Sequence, residues 1–160
     1  MAKVEKDFEE LLRLFNRHKV RYCIVGAFAL GFHARPRYTK DLDILVESSL
    51  GNGKKILKVL QDFGFGSLRI AAEDFSREGR FIQLGYEPLR VDLITSIEGL
   101  KFDEIWKGRK MGTLGSTRVP FIGLKELVKN KKVSGRRQDL ADLEILQRAL
   151  KKRSSKFFLA

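Results

Sequence analysis

The chain has 160 residues, the size of one domain and enough to bury roughly 70% of the surface its unfolded form exposes. Hydrophobic residues make up 43% and include 12 Phe, as a packed core requires, while no apolar run is long enough to span a membrane. Thirty-two Lys and Arg against 20 Asp and Glu leave a net charge of +12, a field that draws polyphosphates and nucleic acids, although a plain soluble basic surface has the same composition.

The first six residues are charged and lack the apolar stretch of a secretory signal, so the expected location is the cytoplasm. Phe8, Leu11, Leu12 and Phe15 recur at helical spacing and predict an amphipathic helix over about 4–18. It has a packing role. Arg21 to Val25 reads as a buried strand that contains Cys23, the single cysteine, which has no partner for an internal disulfide. Gly26 and the small-residue stretch AFALGFHA follow at once and predict a helix. Its terminal His33 is expected to pack on the core, with nucleotide contact as the alternative.

Asp41 to Glu47 is the next strand, with Leu42, Ile44 and Val46 apolar and Asp41 and Asp43 on the opposite face. Gly51, Asn52 and Gly53 predict a turn, and Ile56, Leu57, Leu60 and Phe63 a helix ending at Gly64. Phe81 to Leu84 and Arg90 to Thr95, joined by a loop over Gly85 to Pro88, predict antiparallel neighbours, with Asp92 facing away from Val91 and Leu93. A short helix over Phe102 to Lys107 leads to a terminal hairpin, Arg109 to Leu114 and Thr117 to Ile122, whose exposed edges are free to pair between subunits. Helices over Leu124 to Val133 and Gln138 to Lys151, separated by Gly135, close the chain, the second with a core stripe of Leu140, Leu143, Leu146 and Leu150. Residues 1–153 form one domain. Residues 154–160 are a basic tail expected to be disordered.

Chemistry concentrates in YCIVGAFALGFHARPRYTKDLDILV. Side chains two apart on a strand share a face, so Asp41 and Asp43 converge and repel unless a cation neutralises them. A strand ending at a glycine before a helix offers backbone N–H groups to phosphates, and carboxylates opposite would hold a bridging metal. This order resembles the DNA polymerase beta-type nucleotidyltransferase superfamily, and most closely its small bacterial members related to AbiEii-type toxin nucleotidyltransferases. RPRYTKDLDILV is similar to the family's Arg, Thr and paired-Asp signature. RVDLITSIEGLKFDEIW is similar to its third-carboxylate segment, and LVKNKKVSGRRQDLADLEIL to its closing Lys and Asp helices.

The resemblance implies an α/β (α+β) nucleotidyltransferase fold, a mixed central sheet flanked by helices with further helices at the C-terminus. It implies transfer of a nucleoside monophosphate from an NTP donor to a hydroxyl, with two Mg²⁺ ions. Asp41, Asp43 and Asp92 are then the catalytic and metal-binding residues, and Gly26, Ala27, Arg37, Thr39 and Lys131 bind the nucleotide. Thr39 is expected either to support an Asp41 carboxylate oxygen or simply to stabilise the loop, Lys131 to reach the β- or γ-phosphate, and Asp139 to hold Lys131 or Arg136 in place. The basic balance and the toxin relatives favour an RNA acceptor such as tRNA. The resemblance to the toxin relatives also leaves room for a role as the toxin of a toxin-antitoxin system, with a toxin or antitoxin as protein partner. Many superfamily members carry Gly-Gly or Gly-Ser where this chain has Gly26-Ala27, which keeps a second reading open: an inactive nucleotide-binding or antitoxin-like module that binds protein or RNA.

Overall fold

Helix α1 (Ala2–Arg17) buries the stripe its spacing predicts, with Phe8, Leu11, Leu12 and Phe15 all withdrawn from solvent. The computed structural model of the chain describes residues 2–35, 39–85 and 90–159, and the side chains of these between residues 6 and 153. Strand β1 (Tyr22–Val25) runs straight into helix α2 (Gly26–His33), and strand β2 (Asp41–Val46) returns antiparallel to β1. Helix α3 (Leu50–Phe63) and a short 3₁₀ turn (Ala72–Phe75) precede the hairpin of β3 (Phe81–Leu84) and β4 (Arg90–Ile94). Then come α4 (Phe102–Gly108), the hairpin of β5 (Lys110–Leu114) and β6 (Thr117–Phe121), α5 (Leu124–Ser134) and α6 (Arg137–Leu159).

The six strands form one mixed sheet in the order β3-β4-β2-β1-β6-β5. Its two outer pairs are hairpins, while β4 joins β2 and β6 joins β1 in parallel. Helix α1 covers the face that carries Tyr22, where the rings of Phe15 and Tyr22 meet edge to face at 5.2 Å, and α3 packs beside it. On the face that carries Asp41 and Asp43, α5 and α6 pack together and rim the carboxylates. Cys23 lies fully buried in β1, and burial pushes its thiol up to about 12, so it remains protonated.

Four expectations change. The turn over Gly51 to Gly53 is the first turn of α3: Ser49 caps the helix by accepting the Asn52 N–H, and Asn52 spends its side chain on the backbone of Arg21 and Glu47. Gly53 is required by contact rather than by a turn, because a Cβ there would stand 2.4 Å from the Ala72 carbonyl oxygen. The β5–β6 hairpin has one open edge rather than two, since β6 is held by β1 and β5 lies at one end of the sheet. Leu140 is 54% exposed, and the core side of α6 is carried by Leu146, with Leu143, Ile145, Ala149 and Leu150 partly buried against it. Helix α6 also continues through Leu159, into the segment expected as a tail. Part of the loop over Gly85 to Pro88 lies outside the described residues.

Candidate active site

Gly26 stands at the junction of β1 and α2 with φ +68°, a conformation that side chains disfavour. A Cβ at Gly26 would stand 2.2 Å from Asp43 Oδ2, so the bare glycine is what lets that carboxylate lie against the first turn of α2. The N-terminal N–H groups of a helix lack partners within it, and Val25, in the capping position, provides no side-chain bond. The start of α2 therefore lies against Asp43.

Register builds the acidic cluster. In the parallel pairing of β2 with β4, Asp41 lies beside Arg90 and Asp43 beside Asp92. Residues two apart share a face, so D-x-D on one strand meets R-x-D on the next. Asp92 is 5% exposed. Burial, then the charge of Asp92 and a hydrogen bond shared with it, then the charge of Asp41, push Asp43 up to about 7; Arg90 offsets only part of this. The Arg90 guanidinium Nε lies 3.4 Å from Asp92 Oδ1 and 3.9 Å from Asp41 Oδ1, between the outer members of the cluster.

A second cluster stands across the cleft. Lys131 Nζ of α5 donates to Asp139 Oδ1 at 3.0 Å and to Asp142 Oδ2 at 3.2 Å, and the three side chains are nearly buried. Arg136 Nε donates to Asp139 Oδ2 at 2.9 Å, and the Ser134 hydroxyl donates to the same oxygen. Burial works against the Asp139 carboxylate, yet these hydrogen bonds outweigh it and hold its carboxyl far below the usual range. Gly26, Ala27, Thr39, Asp41, Asp43 and Lys131 line one cleft of about 600 Å³ between the two clusters, together with Ser96, Glu98, Asn130 and Gln138.

The structure thus brings seven of the eight expected site residues to one place, with Asp92 reached through its pairing with Asp43. Arg37 lies outside the described residues. Thr39 differs in its partner: its hydroxyl accepts the Asp41 N–H at 3.1 Å and reaches the Asp41 carbonyl at 3.2 Å, fixing the backbone rather than the carboxylate. His33 takes the packing role, 6% exposed, with Nε2 2.6 Å from the Ile122 carbonyl. Arg90 is the residue that sequence reading passed over. Its signal was present in the R-x-D alternation, but that alternation gains meaning only beside D-x-D.

Among the described residues no three acidic, His or Cys side chains are gathered closely enough to hold one ion between them. Mg²⁺ in phosphoryl-transfer sites is commonly held by one or two carboxylates, with substrate phosphates and water completing its shell. Half-buried Asp43 against buried Asp92, with too little positive charge nearby, fits that kind of site.

No family model and no curated protein matches the sequence. Solved structures do share its fold. The antibiotic-resistance factor ANT(2″)-Ia, crystallised with adenylyl-2″-tobramycin, superposes with a TM-score of 0.60 at 10% identity over 98% of this chain and 94% of that one. The lincosamide antibiotic adenylyltransferase LnuA, bound to lincomycin, gives 0.52 at 16% identity over 89% and 95%. An antigenic nucleotidyltransferase-like protein from Paracoccidioides brasiliensis gives 0.52 at 13% identity over 98% and 89%. At such identities the likeness is one of fold, and the fold is that of nucleotidyltransferases: a mixed sheet flanked by helices, as the sequence led us to expect.

Proposed function

We propose that this protein is a Mg²⁺-dependent nucleotidyltransferase that moves a nucleoside monophosphate from an NTP to a hydroxyl of an RNA acceptor, tRNA-like in kind. The observation that carries the reading is the placement of Asp43 between Gly26 at the start of α2 and Asp92 on the neighbouring strand. Phosphoryl transfer asks a protein for positioning and charge neutralisation, and this arrangement has the parts for both. The kinship with AbiEii-type toxin nucleotidyltransferases belongs to the same proposal and rests on the segments quoted above.

In this reading the N–H groups at the start of α2, at Gly26 and Ala27, receive the NTP phosphates. Asp41, Asp43 and Asp92 would hold two Mg²⁺ ions, which when bound neutralise the charge that builds on the transferring phosphoryl group. The acceptor oxygen bonds to the α-phosphorus, the bond to the β-phosphate oxygen breaks, and pyrophosphate leaves. The acceptor proton goes to the Asp92 carboxylate, whose Oδ1 meets Arg90. Arg37 adds positive charge at the triphosphate. Lys131, fixed by Asp139 and Asp142, lends its charge from the α5 wall rather than reaching out as a mobile contact.

Two structural neighbours carry antibiotics, so an antibiotic hydroxyl is the competing acceptor. The net charge of +12 favours the polyanion. Incubation with an α-labelled NTP and Mg²⁺ should place label on RNA, and Asp43→Asn should lower the rate by about a hundredfold or more. Label on an antibiotic hydroxyl and never on RNA would overturn the acceptor. No transfer to any acceptor, with stable partner binding, would favour the inactive module.

A further inference from the structure

A second groove, of about 410 Å³, lies at the end of α2 and along the middle of α6, two helices that begin in the cleft. It is lined by His33, Arg35, Ile145, Arg148, Lys152 and Arg153 among others; among the described residues no carboxylate lines it, and Arg148 pairs with Glu144 at 2.8 Å beside it. Helix α2 starts with Gly26 against Asp43 and ends with His33 in this groove. Helix α6 behaves alike: Asp139 and Asp142 line the cleft, and Arg148 and Lys152, one turn apart, line the groove. The groove and the cleft therefore lie along a shared pair of helices, about 10 Å apart by the rise of α2.

Its floor is built rather than incidental. A carbonyl only accepts, so His33 Nε2 donates to Ile122 and leaves Nδ1 to accept from the Arg153 guanidinium at 3.3 Å. A buried neutral ring thus holds an arginine in place without cancelling its charge. Burial lowers the His33 pKa first, the Ile122 hydrogen bond opposes this, and the nearby charges of Arg153 and Lys110 lower it further. Beside it Phe32 is 40% exposed, stacked on Phe121 at 4.2 Å and edge-on to His33 at 4.9 Å. A row of cations with an exposed, rigidly held aromatic beside it suits a single nucleic-acid strand, whose phosphates track the row while a base meets the ring.

We propose that this groove binds the backbone of a single-stranded RNA whose end enters the cleft, with Phe32 as a contact for one base. The inference rests on the proposed transfer to RNA and adds where the acceptor lies.

The test is fluorescence anisotropy of a fluorescein-labelled single-stranded RNA of about ten nucleotides, within the usual site size, titrated over a KCl series without NTP. Neutralising the groove with Arg35→Ser and Lys152→Ser should flatten the plot of log affinity against log salt by about 1.4, at roughly 0.7 per lost phosphate contact. A control with the same change of net charge, Lys54→Ser and Lys125→Ser on exposed positions of α3 and α5, should leave the slope unchanged. Phe32→Leu should weaken binding about fivefold or more with the slope preserved. Equal effects of groove and control variants, or no RNA binding by the wild type, would overturn the groove. Calorimetry of Mg²⁺ and NTP on the same proteins separates the two proposals: the groove variants should bind NTP as the wild type does, and a wild type that binds RNA but no NTP sinks the transferase and leaves the groove standing.

Discussion

Asp43 is a half-buried acid placed where its neighbours oppose its charge, and that conflict predicts opposite effects on stability and activity. Asp43→Asn removes the repulsion from Asp41 and Asp92 and should raise the melting temperature of the metal-free protein while abolishing transfer, as thermal melts and the labelling assay would show. Gly26→Ala should do harm on both counts: the positive φ costs about 1–2 kcal/mol, and the new methyl displaces Asp43 Oδ2, so NTP binding measured by calorimetry should fall as well. The paired aspartates were legible because period-2 alternation fixes which side chains converge. The third member, Asp92, was legible as a polar residue alternating with apolar ones. What the sequence did not disclose was register, which decides that Asp92 meets Asp43 and Arg90 meets Asp41. Of the two roles open to Thr39, the structure takes loop stabilisation, since the Asp41 backbone offered the nearer partner.

At the scale of elements, α6 shows how far periodicity reaches. Leu140 and Leu146 lie on the same nominal stripe, yet only Leu146 meets the core, because the first turn of α6 serves the cleft with Asp139 and Asp142. Leu146→Ala should therefore cost about 2–5 kcal/mol in chemical denaturation, and Leu140→Ala no more than about 0.5. A contact between distant elements gives a pH signature. Glu9 of α1 accepts the Ser116 N–H at 2.9 Å and the Thr117 hydroxyl at 3.0 Å, pairs with Arg13 at 2.8 Å, and also accepts the Ser116 hydroxyl. The Ser116 bonds hold its carboxyl down at about 2, from 4.5. A depressed carboxyl adds stability that is present above its unfolded pKa and is lost as pH falls towards the folded one. The gap in melting temperature between wild type and Glu9→Gln should be constant near neutral pH, shrink between about pH 4.5 and 2, and close below that. The helices and hairpins were readable locally. The Ser49 cap and the close approach at Gly53 were not, because glycines around an asparagine look like a turn until the segment they pack against is known.

For the whole molecule, a nucleotide that binds only the folded state should stabilise it by about 2.7 kcal/mol at a hundred times its dissociation constant, or about 5–10 °C for a chain of this size. That shift should require Mg²⁺ and vanish in the Asp41→Asn, Asp43→Asn double variant, as differential scanning fluorimetry can report. The fold class was legible as a whole because strands and helices alternate with clear punctuation, while the order of the strands rests on two parallel pairings that leave no local trace. Those pairings also bear on how the chain reaches its native state. Asp43 and Asp92 are separated by about fifty residues, and closing so large a loop is entropically unfavourable before any contact rewards it. Here the closing strands also bring like charges together, so the centre that would do the chemistry resists its own assembly. If β2 and β4 pair in the folding transition state, Asp43→Asn should speed refolding in stopped-flow experiments and leave unfolding nearly unchanged; an effect confined to unfolding would place the pairing after the barrier.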